Sequence, residues 1–217
     1  MALDTERFDP ADRLPAWQAY NEPTIEIDAI EDWNTGFNAK VTAWRTDRTL
    51  FTKLSCHPPA DMHYSLRIRP TGHEYLVLRL GTYGAMRGLL GDGPVSFEQG
   101  DIQLFDFQKQ LHAISGGVDQ ISAYFPYDTV GYDPRRDGPQ ITLCADSAMG
   151  RVVTSILQTT FQQLDTVNRD EANELSDGLA GMLRAIITGE RELLGVCEAC
   201  EQARKRAMQD FIAENLQ

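Results

Sequence analysis

Four histidines are the residues of this chain best suited to bind a metal ion, and their spacing argues against a shared site. They are His57, His63, His73 and His112. Side chains alternate between the two faces of a strand, so two imidazoles of one strand converge only when they stand two residues apart. No pair of these histidines has that spacing. The sequence therefore predicts no bound catalytic metal, although ligands from separate strands could still converge.

A C-x-x-C motif occurs near the end of the chain, at Cys197 and Cys200. Such a pair forms a redox centre within a βαβ unit, or a zinc site when a second pair supplies the other ligands. The sequence shows neither context. Residues three apart share a helix face, so we predict that these cysteines are two small buried groups. A regulatory disulfide is the alternative.

No catalytic motif is recognisable in the sequence. There is no G-x-S-x-G nucleophile motif. The glycine-rich stretch "GTYGAMRG" lies between predicted strands instead of before a helix, so it indicates a hairpin and not a phosphate-binding loop. We predict no catalytic residue and no cofactor.

Aromatic and cationic residues on the predicted strands indicate a small-molecule site, because ligand sites in barrels combine aromatic walls with a few polar groups. The candidate ligand-binding residues are Trp44, Tyr75, Arg79, Phe105 and Tyr124. Arg79 lies within the apolar run "YLVLRL", where an unpaired charge is unfavourable to bury. We expect Arg79 to reach solvent, as most arginines do. Otherwise it needs a carboxylate, from Asp106 or from a ligand.

The elements that would position these residues are short strands, which fill residues 37–126. In "FNAKVTAW" the residue types alternate between two faces, as in a β-strand. Turns such as "PTGH", "GDGP" and "EQGD" separate the apolar runs that follow. No helical segment long enough for a parallel crossover is interleaved. The pattern predicts an antiparallel barrel or sandwich.

After residue 140 the apolar period becomes that of α-helices. One amphipathic helix is predicted in "SAMGRVVTSILQTTFQQL", a second between a cap at Asp170 and a stop at Gly189, and a third over residues 191–217. These stripes are wider than one barrel face needs, and surplus apolar surface is often buried between subunits. The predicted dimer interface consists of Val152, Val153, Ile156, Phe161, Leu179, Leu183 and Ile187. The alternative is that the helices pack only on one another.

The net charge of −12 limits the partners of the chain. A protein this acidic repels the phosphate backbone and anionic lipids, so we predict that it does not bind DNA or a membrane by itself. No run approaches the ~18 consecutive apolar residues of a membrane span. The first residues lack the apolar segment of a secretory signal, and we predict a cytoplasmic protein.

Three segments share the pattern of one protein family. A Gly-Asp turn, an apolar strand and a second Asp occupy residues 100–106, and Arg13 and Trp17 form an early Arg-x-x-x-Trp element. The last segment, "RKRAMQDFIAENLQ", has the apolar pair Phe211 and Ile212 followed by an Asn-Leu. Together these segments resemble the cupin-like sensor domain of AraC/XylS-type transcriptional regulators and the helix that opens their DNA-binding domain. The resemblance implies that paired helix-turn-helix units follow residue 217, and that DNA is bound by those units.

The predicted fold class is α+β, with a small antiparallel cupin-like β-barrel of the jelly-roll type followed by a helical dimerisation region. We divide the chain into an N-terminal arm with a short helix (1–36), the barrel (37–135), a helical hairpin (140–190) and a linker helix (191–217).

The resemblance implies a function in effector sensing and dimerisation within an AraC-type transcription factor. The expected partners are a second copy of the chain and a small-molecule effector. The alternative function is that of a stand-alone cupin enzyme, whose metal ligands would come from His63, His73 and His112.

Overall fold

The computed structural model describes residues 2–22, 24–29, 36–59, 62–68, 72, 74–137, 140–143 and 145–188. Its strands are β1 (Ala2–Asp4), β2 (Ile25–Ala29), β3 (Asn38–Arg45), β4 (Leu50–His57), β5 (Tyr64–Ile68), β6 (Tyr75–Leu90), β7 (Gly93–Phe97), β8 (Ile102–Asp106), β9 (Leu111–Pro126) and β10 (Gln140–Leu143). Its α-helices are α1 (Arg13–Asn21), α2 (Tyr127–Val130), α3 (Ala148–Gln163) and α4 (Arg169–Thr188), and two 3-10 turns, Thr5–Arg7 and Pro10–Asp12, precede α1. None of these described helices is both long and apolar enough to cross a membrane.

All strand pairs are antiparallel, as the turn-separated apolar runs predict. The main path through the sheet is β1-β3-β4-β9-β6-β8-β10, with β5 also on β9, β2 on β5 and β7 on β6. The two longest strands, β6 and β9, pair from Tyr75 with Pro126 to Leu90 with Leu111. Within the described ranges β10 does not pair back to β1, so the sheet is not closed into a complete barrel. The predicted α+β class, with an antiparallel sheet followed by helices, is confirmed.

The two faces of the sheet bury two separate cores. Leu76 and Leu78 of β6 belong to an outer core that also contains the buried faces of α3 and α4. Val77, between them, belongs to an inner core with Trp17 of α1 and Phe105 of β8. Successive strand residues point to opposite faces, so β6 contributes side chains alternately to the two cores. We call the inner side of the sheet, where the side chains of the inner core lie, the cup.

Two glycines allow β6 and β9 to approach closely where their pairing register shifts. The register slips between Gly81 and Tyr83 and again between Gly84 and Met86. Gly84 has φ +75° and Gly117, beside it on β9, has φ +132°. A methyl group on Gly84 would overlap the carbonyl oxygen of Gly117. Only glycine fits such a backbone conformation and so close an approach.

The helices α3 and α4 begin at side-chain caps and pack against the outer face. Ser147 Oγ accepts a hydrogen bond from the Gly150 amide at 2.9 Å. Asn168 Oδ1 accepts from the amides of Asp170 and Glu171 at 2.9 and 3.0 Å. The prediction that Asp170 caps the second helix was therefore wrong, because Asn168, two residues earlier, satisfies the free amides. The predicted stop at Gly189 and the predicted third helix lie outside the described residues.

The sheet reaches beyond the region in which the sequence shows a β pattern. β1 pairs with β3, β2 with β5, and β10 with β8. Residues 140–143, which the sequence placed in the helical hairpin, thus form a strand. The reason is that β8 and β3 expose free backbone groups at the edges of the sheet, and a short added strand satisfies them. The predicted short helix near residue 15 is present as α1.

Candidate functional site

Four of the five predicted ligand-binding residues lie on the inner side of the sheet. Tyr75, Phe105 and Tyr124 belong to or pack against the inner core, and Arg79 has the same parity as Tyr75 and Val77 along β6. The register confirms the shared face, because Val77 is paired with Phe105 on one side and with Tyr124 on the other. The sheet thus brings these side chains into one cup.

Trp44 does not belong to the cup. It is paired with Phe51, which lies in the outer core. Its indole Nε1 donates a hydrogen bond to Asp165 Oδ1 at 2.8 Å, and its ring meets Phe161 edge-on with centroids 5.9 Å apart. Trp44 was predicted to bind a ligand with the other four residues, but its side chain lies on the outer side of the sheet. There it packs against the C-terminal end of α3.

Arg79 is buried, with 5% of its surface exposed, so the prediction that it reaches solvent was wrong. Its guanidinium carbon lies 4.0 Å from the centroid of the Phe97 ring, a cation-π distance. Within the described part of the chain it makes no ion pair. Asp106 cannot supply one, because it pairs with Leu76 and faces the outer core. Burial lowers the pKa of Arg79 to about 10, against the opposing effect of Tyr64, Tyr124 and Asp101.

Polar side chains flank Arg79 on both neighbouring strands. Gln103 of β8 and Ser122 of β9 are its register partners, and both are buried. Gln103 Nε2 donates to the Ser96 carbonyl at 2.8 Å, but Gln103 Oε1 and Ser122 Oγ have no hydrogen-bond partner among the described residues. Gln120 Oε1, two residues along β9, is in the same state. Buried polar atoms without partners are uncommon and mark places where water or a ligand binds.

Two tyrosines and a cysteine complete the polar lining without adding charge. Tyr64 is hydrogen-bonded to Ser115 and Cys56, and burial raises its pKa well above 10. Tyr124 is hydrogen-bonded to Thr52, and burial raises its pKa too. Burial raises the pKa of the Cys56 thiol to about 12, with a smaller contribution from Asp119. These groups are neutral near pH 7, so among the described side chains that contact one another here Arg79 carries the charge.

Aromatic rings form the remaining walls of the cup. The Phe97 and Phe105 centroids lie 5.8 Å apart, and those of Phe107 and Tyr124 lie 5.5 Å apart. Trp17 of α1 stacks on Tyr20 at 6.1 Å, and its buried Nε1 has no partner among the described residues. Aromatic walls, one cation and unsatisfied polar atoms are the combination that binds a small molecule.

A second polar cluster, which the sequence did not predict, joins the sheet to the helices. The buried Asp106 accepts hydrogen bonds from the Tyr127 hydroxyl and from the Gln108 amide, the latter at 2.8 Å. The Tyr127 and Tyr132 rings meet edge-on at 4.9 Å. Burial, with Asp106 as the next cause, raises the pKa of both tyrosines. The sequence feature that could have indicated this cluster is the motif that begins with the Gly-Asp turn at residue 100 and ends at Asp106.

The β3–β4 turn contacts α4 directly. Ser176 Oγ donates to Thr49 Oγ1 at 2.7 Å inside the protein. Nearby and exposed, Asn173 Oδ1 accepts from the Asp47 amide at 2.9 Å, and Arg169 Nε donates to Asp47 Oδ1 at 3.0 Å. β4 therefore connects the helices to the cup, because it also carries Thr52, the partner of Tyr124.

The histidines are dispersed. His57 Nε2 lies 2.8 Å from Asp119 Oδ1, and its ring is 5.5 Å from that of Tyr83. His63 lines a surface groove of about 340 Å³ beside Gly116, and His112 is exposed on β9. His73 lies outside the described residues. In the described ranges no three His, Cys, Asp or Glu side chains are grouped so as to hold a metal. Cys197 and Cys200 lie outside those ranges.

The predicted dimer interface divides into buried and exposed residues. Val153, Leu179, Leu183 and Ile187 are buried in the outer core, against the sheet of the same molecule. Phe161 is half-buried there. The monomer itself thus uses the wide apolar stripes that the sequence assigned to a partner. Val152 and Ile156 remain exposed on α3, at 48% and 38%.

No family model matches the sequence, and no curated protein matches it either. Among solved structures, the AraC-like transcriptional activator CuxR matches with a TM-score of 0.74 and 12% identity, over 88% of this chain and 70% of CuxR. The chain has the fold of this AraC-like activator. Since β10 ends at residue 143 of 217, a match with CuxR over 88% of the chain includes part of the helical region.

Two further structures match shorter parts of the chain. A cupin superfamily protein from Desulfitobacterium hafniense DCB-2 has a TM-score of 0.32 and 15% identity, over 41% of this chain and 76% of its own. An HTH_3 family transcriptional regulator from Vibrio cholerae has a TM-score of 0.33 and 13% identity, over 40% and 50%. These two scores are too low to indicate a shared overall fold.

Proposed function

We propose that this chain is the effector-sensing and dimerising part of a cytoplasmic AraC-type transcription regulator. The observation that carries the proposal is the similarity to CuxR, which extends past the sheet into the helices. A likeness confined to the sheet would fit many activities, because folds of this kind host unrelated functions. A similarity that also includes the helices favours a function that the sheet and the helices perform together.

The contacts on the two sides of the sheet support coupling between a ligand and the helices. Tyr124 and Arg79 face the cup, and Thr52 joins Tyr124 to β4. Thr49, three residues before Thr52, holds Ser176 of α4. A ligand that binds one arrangement of β4 better than another would shift the population of α4 positions. The effector would act on transcription in this way.

The exposed face of α3 supports self-association. Arg151 is the one charged residue in the 16 residues of α3, whereas the first turn of α4 carries Asp170 and Glu171. Two copies that each carry a net charge of −12 repel each other, so they meet best at an uncharged face. Val152 and Ile156, one turn apart, would then form the centre of an isologous contact.

DNA binding belongs, in this proposal, to helix-turn-helix units outside this chain. The net charge of −12 disfavours direct binding to phosphates. The match covers 70% of CuxR, so the remaining 30% of that protein has no counterpart in this chain.

The proposal can be tested by fusing the chain to a DNA-binding domain that represses a reporter gene only as a dimer. We expect repression by the wild-type fusion and its loss in Ile156→Glu, which places like charges at the contact. The matched control is Gln162→Glu, an equally charged change at an exposed position of the same helix, which should preserve repression. Equal repression by both variants, or none by the wild type, would contradict the dimeric regulatory role.

A further inference from the structure

The cup contains a buried positive charge that the described residues do not neutralise. Arg79 is 5% exposed and forms no ion pair with a described residue, and its guanidinium packs on the Phe97 ring. A buried ion is unfavourable unless it is paired. A cation-π contact compensates for only part of the unfavourable free energy of burying the guanidinium.

Three aspartates on or beside the strands that flank β6 have other partners. Asp101, which acts on Arg79 through space, accepts the Glu98 amide with Oδ2 at 2.8 Å in the β7–β8 turn. Asp119 is paired with His57 at 2.8 Å. Asp106 points to the outer core, where Tyr127 donates to it. The negative charge that Arg79 lacks must therefore come from outside this set.

The polar atoms beside Arg79 define what else a ligand must carry. Ser122 Oγ can donate to an anion, since it has no hydrogen-bond partner in the described part of the chain and stands opposite Arg79 in the register. Gln103 Oε1 and Gln120 Oε1 are acceptors that receive no hydrogen bond from any described residue. The rings of Phe97 and Phe105, 5.8 Å apart, offer an apolar surface next to them.

We propose that the cup binds a small organic monocarboxylate that has an apolar or aromatic body and a hydroxyl group. The carboxylate would pair with Arg79 and accept from Ser122, the hydroxyl would donate to Gln103 or Gln120, and the body would lie on Phe97 and Phe105. A guanidinium binds a carboxylate in a two-pronged, directional way, which suits a site that must discriminate. This inference specifies the effector class of the sensing role proposed above and rests on that role.

Three related probes test it: mandelate, mandelamide and phenylacetate. Mandelate has the carboxylate, the hydroxyl and the ring, mandelamide lacks the charge, and phenylacetate lacks the hydroxyl. By calorimetry we expect mandelate to bind at least about tenfold more tightly than mandelamide, since an anion at a buried guanidinium is worth this factor or more. Phenylacetate should fall between them. Equal binding of mandelate and mandelamide, or no binding of any probe at millimolar concentration, would overturn the proposal.

Variants of two arginines on the same strand separate binding from folding. Arg79→Met should abolish the response to mandelate, yet its thermal midpoint without ligand should equal or exceed that of the wild type, because an uncompensated buried charge is removed. Arg87→Met is the control, since Arg87 is partly exposed and pairs with Glu98 at 3.5 Å. It should bind mandelate normally. Mandelate binding that survives in a folded Arg79→Met, or in Arg79→Gln, would refute the site.

The two proposals fail differently. If mandelate binding does not depend on Arg79 but the reporter fusion still represses as a dimer, the regulatory role stands and the ligand class is wrong. If mandelate binds as expected but the fusion never represses, the regulatory role is wrong instead.

Discussion

At the scale of single residues, the sequence predicted which side chains share the inner face of the sheet better than it predicted what those side chains contact. Tyr75, Arg79, Phe105 and Tyr124 converge because strand residues two apart share a face, which is visible in a sequence. Trp44 also obeys the alternation of its strand, but which of its two faces is the inner one depends on pairing with β4 and β9. Such long-range pairing is not encoded in the local pattern.

The Asp106–Tyr127 contact is a residue-scale feature whose contribution can be measured. Tyr127→Phe removes the donor and leaves a buried carboxylate with one hydrogen bond fewer. We expect the free energy of unfolding in urea to fall by about 1–3 kcal/mol. Tyr83→Phe, on a ring that is 54% exposed, is the control and should change it by less than about 0.5 kcal/mol. Equal effects of the two variants would show that the buried contact contributes nothing.

Cys56 provides a prediction with a pH dependence. Burial raises the pKa of its thiol from 9.0 to about 12, so the folded protein keeps a proton that the unfolded chain loses. The stability that this thiol contributes is complete below pH 9.0 and is lost as the pH rises toward about 12, because unfolding then releases a proton.

The same burial should suppress the reactivity of Cys56. In a variant whose other three cysteines are serine, we expect iodoacetamide at pH 8 to modify the native protein at least roughly 100-fold more slowly than the urea-unfolded protein, because only the thiolate reacts. Mass spectrometry over time gives both rates. Rapid modification of the native protein would mean that the inner side of β4 is open to reagent.

At the scale of elements, the long strands were predictable and the short ones were not. The run that became β3 alternates between two faces, and the runs that became β4, β6, β8 and β9 are apolar stretches separated by turn signals. β1 and β10, of 3 and 4 residues, are too short for any period to show. They exist because β3 and β8 present free edges, a property of the assembled sheet.

Two glycine-to-alanine changes test how the elements are built. Gly84→Ala puts a methyl group against the Gly117 carbonyl at positive φ, and should lower the free energy of unfolding by about 3 kcal/mol or more. Gly178→Ala in α4 meets no atom within 4 Å and should raise it by about 0.5–1 kcal/mol. Denaturant titration measures both. A mild effect at Gly84 would contradict the close approach of β6 and β9 at Gly84 and Gly117.

At the scale of the whole molecule, the sequence overstated the surface left for a partner. The apolar stripes of α3 and α4 are real, but most of their residues cover the outer face of the sheet. A sequence shows how wide a stripe is, not how large a face its own sheet presents. The part that remains, around Val152 and Ile156, lies on α3, a helix whose single charged residue is Arg151.

The central claim is that this chain is a dimerising regulatory module, and sedimentation velocity tests it most directly. At micromolar concentration we predict a species of twice 24.3 kDa for the wild type and for Gln162→Glu. Ile156→Glu should weaken the dimer by at least about tenfold, or about 1.4 kcal/mol, because a charge replaces an apolar contact at the centre of the interface. A wild-type protein that sediments at 24.3 kDa at every concentration would contradict the account.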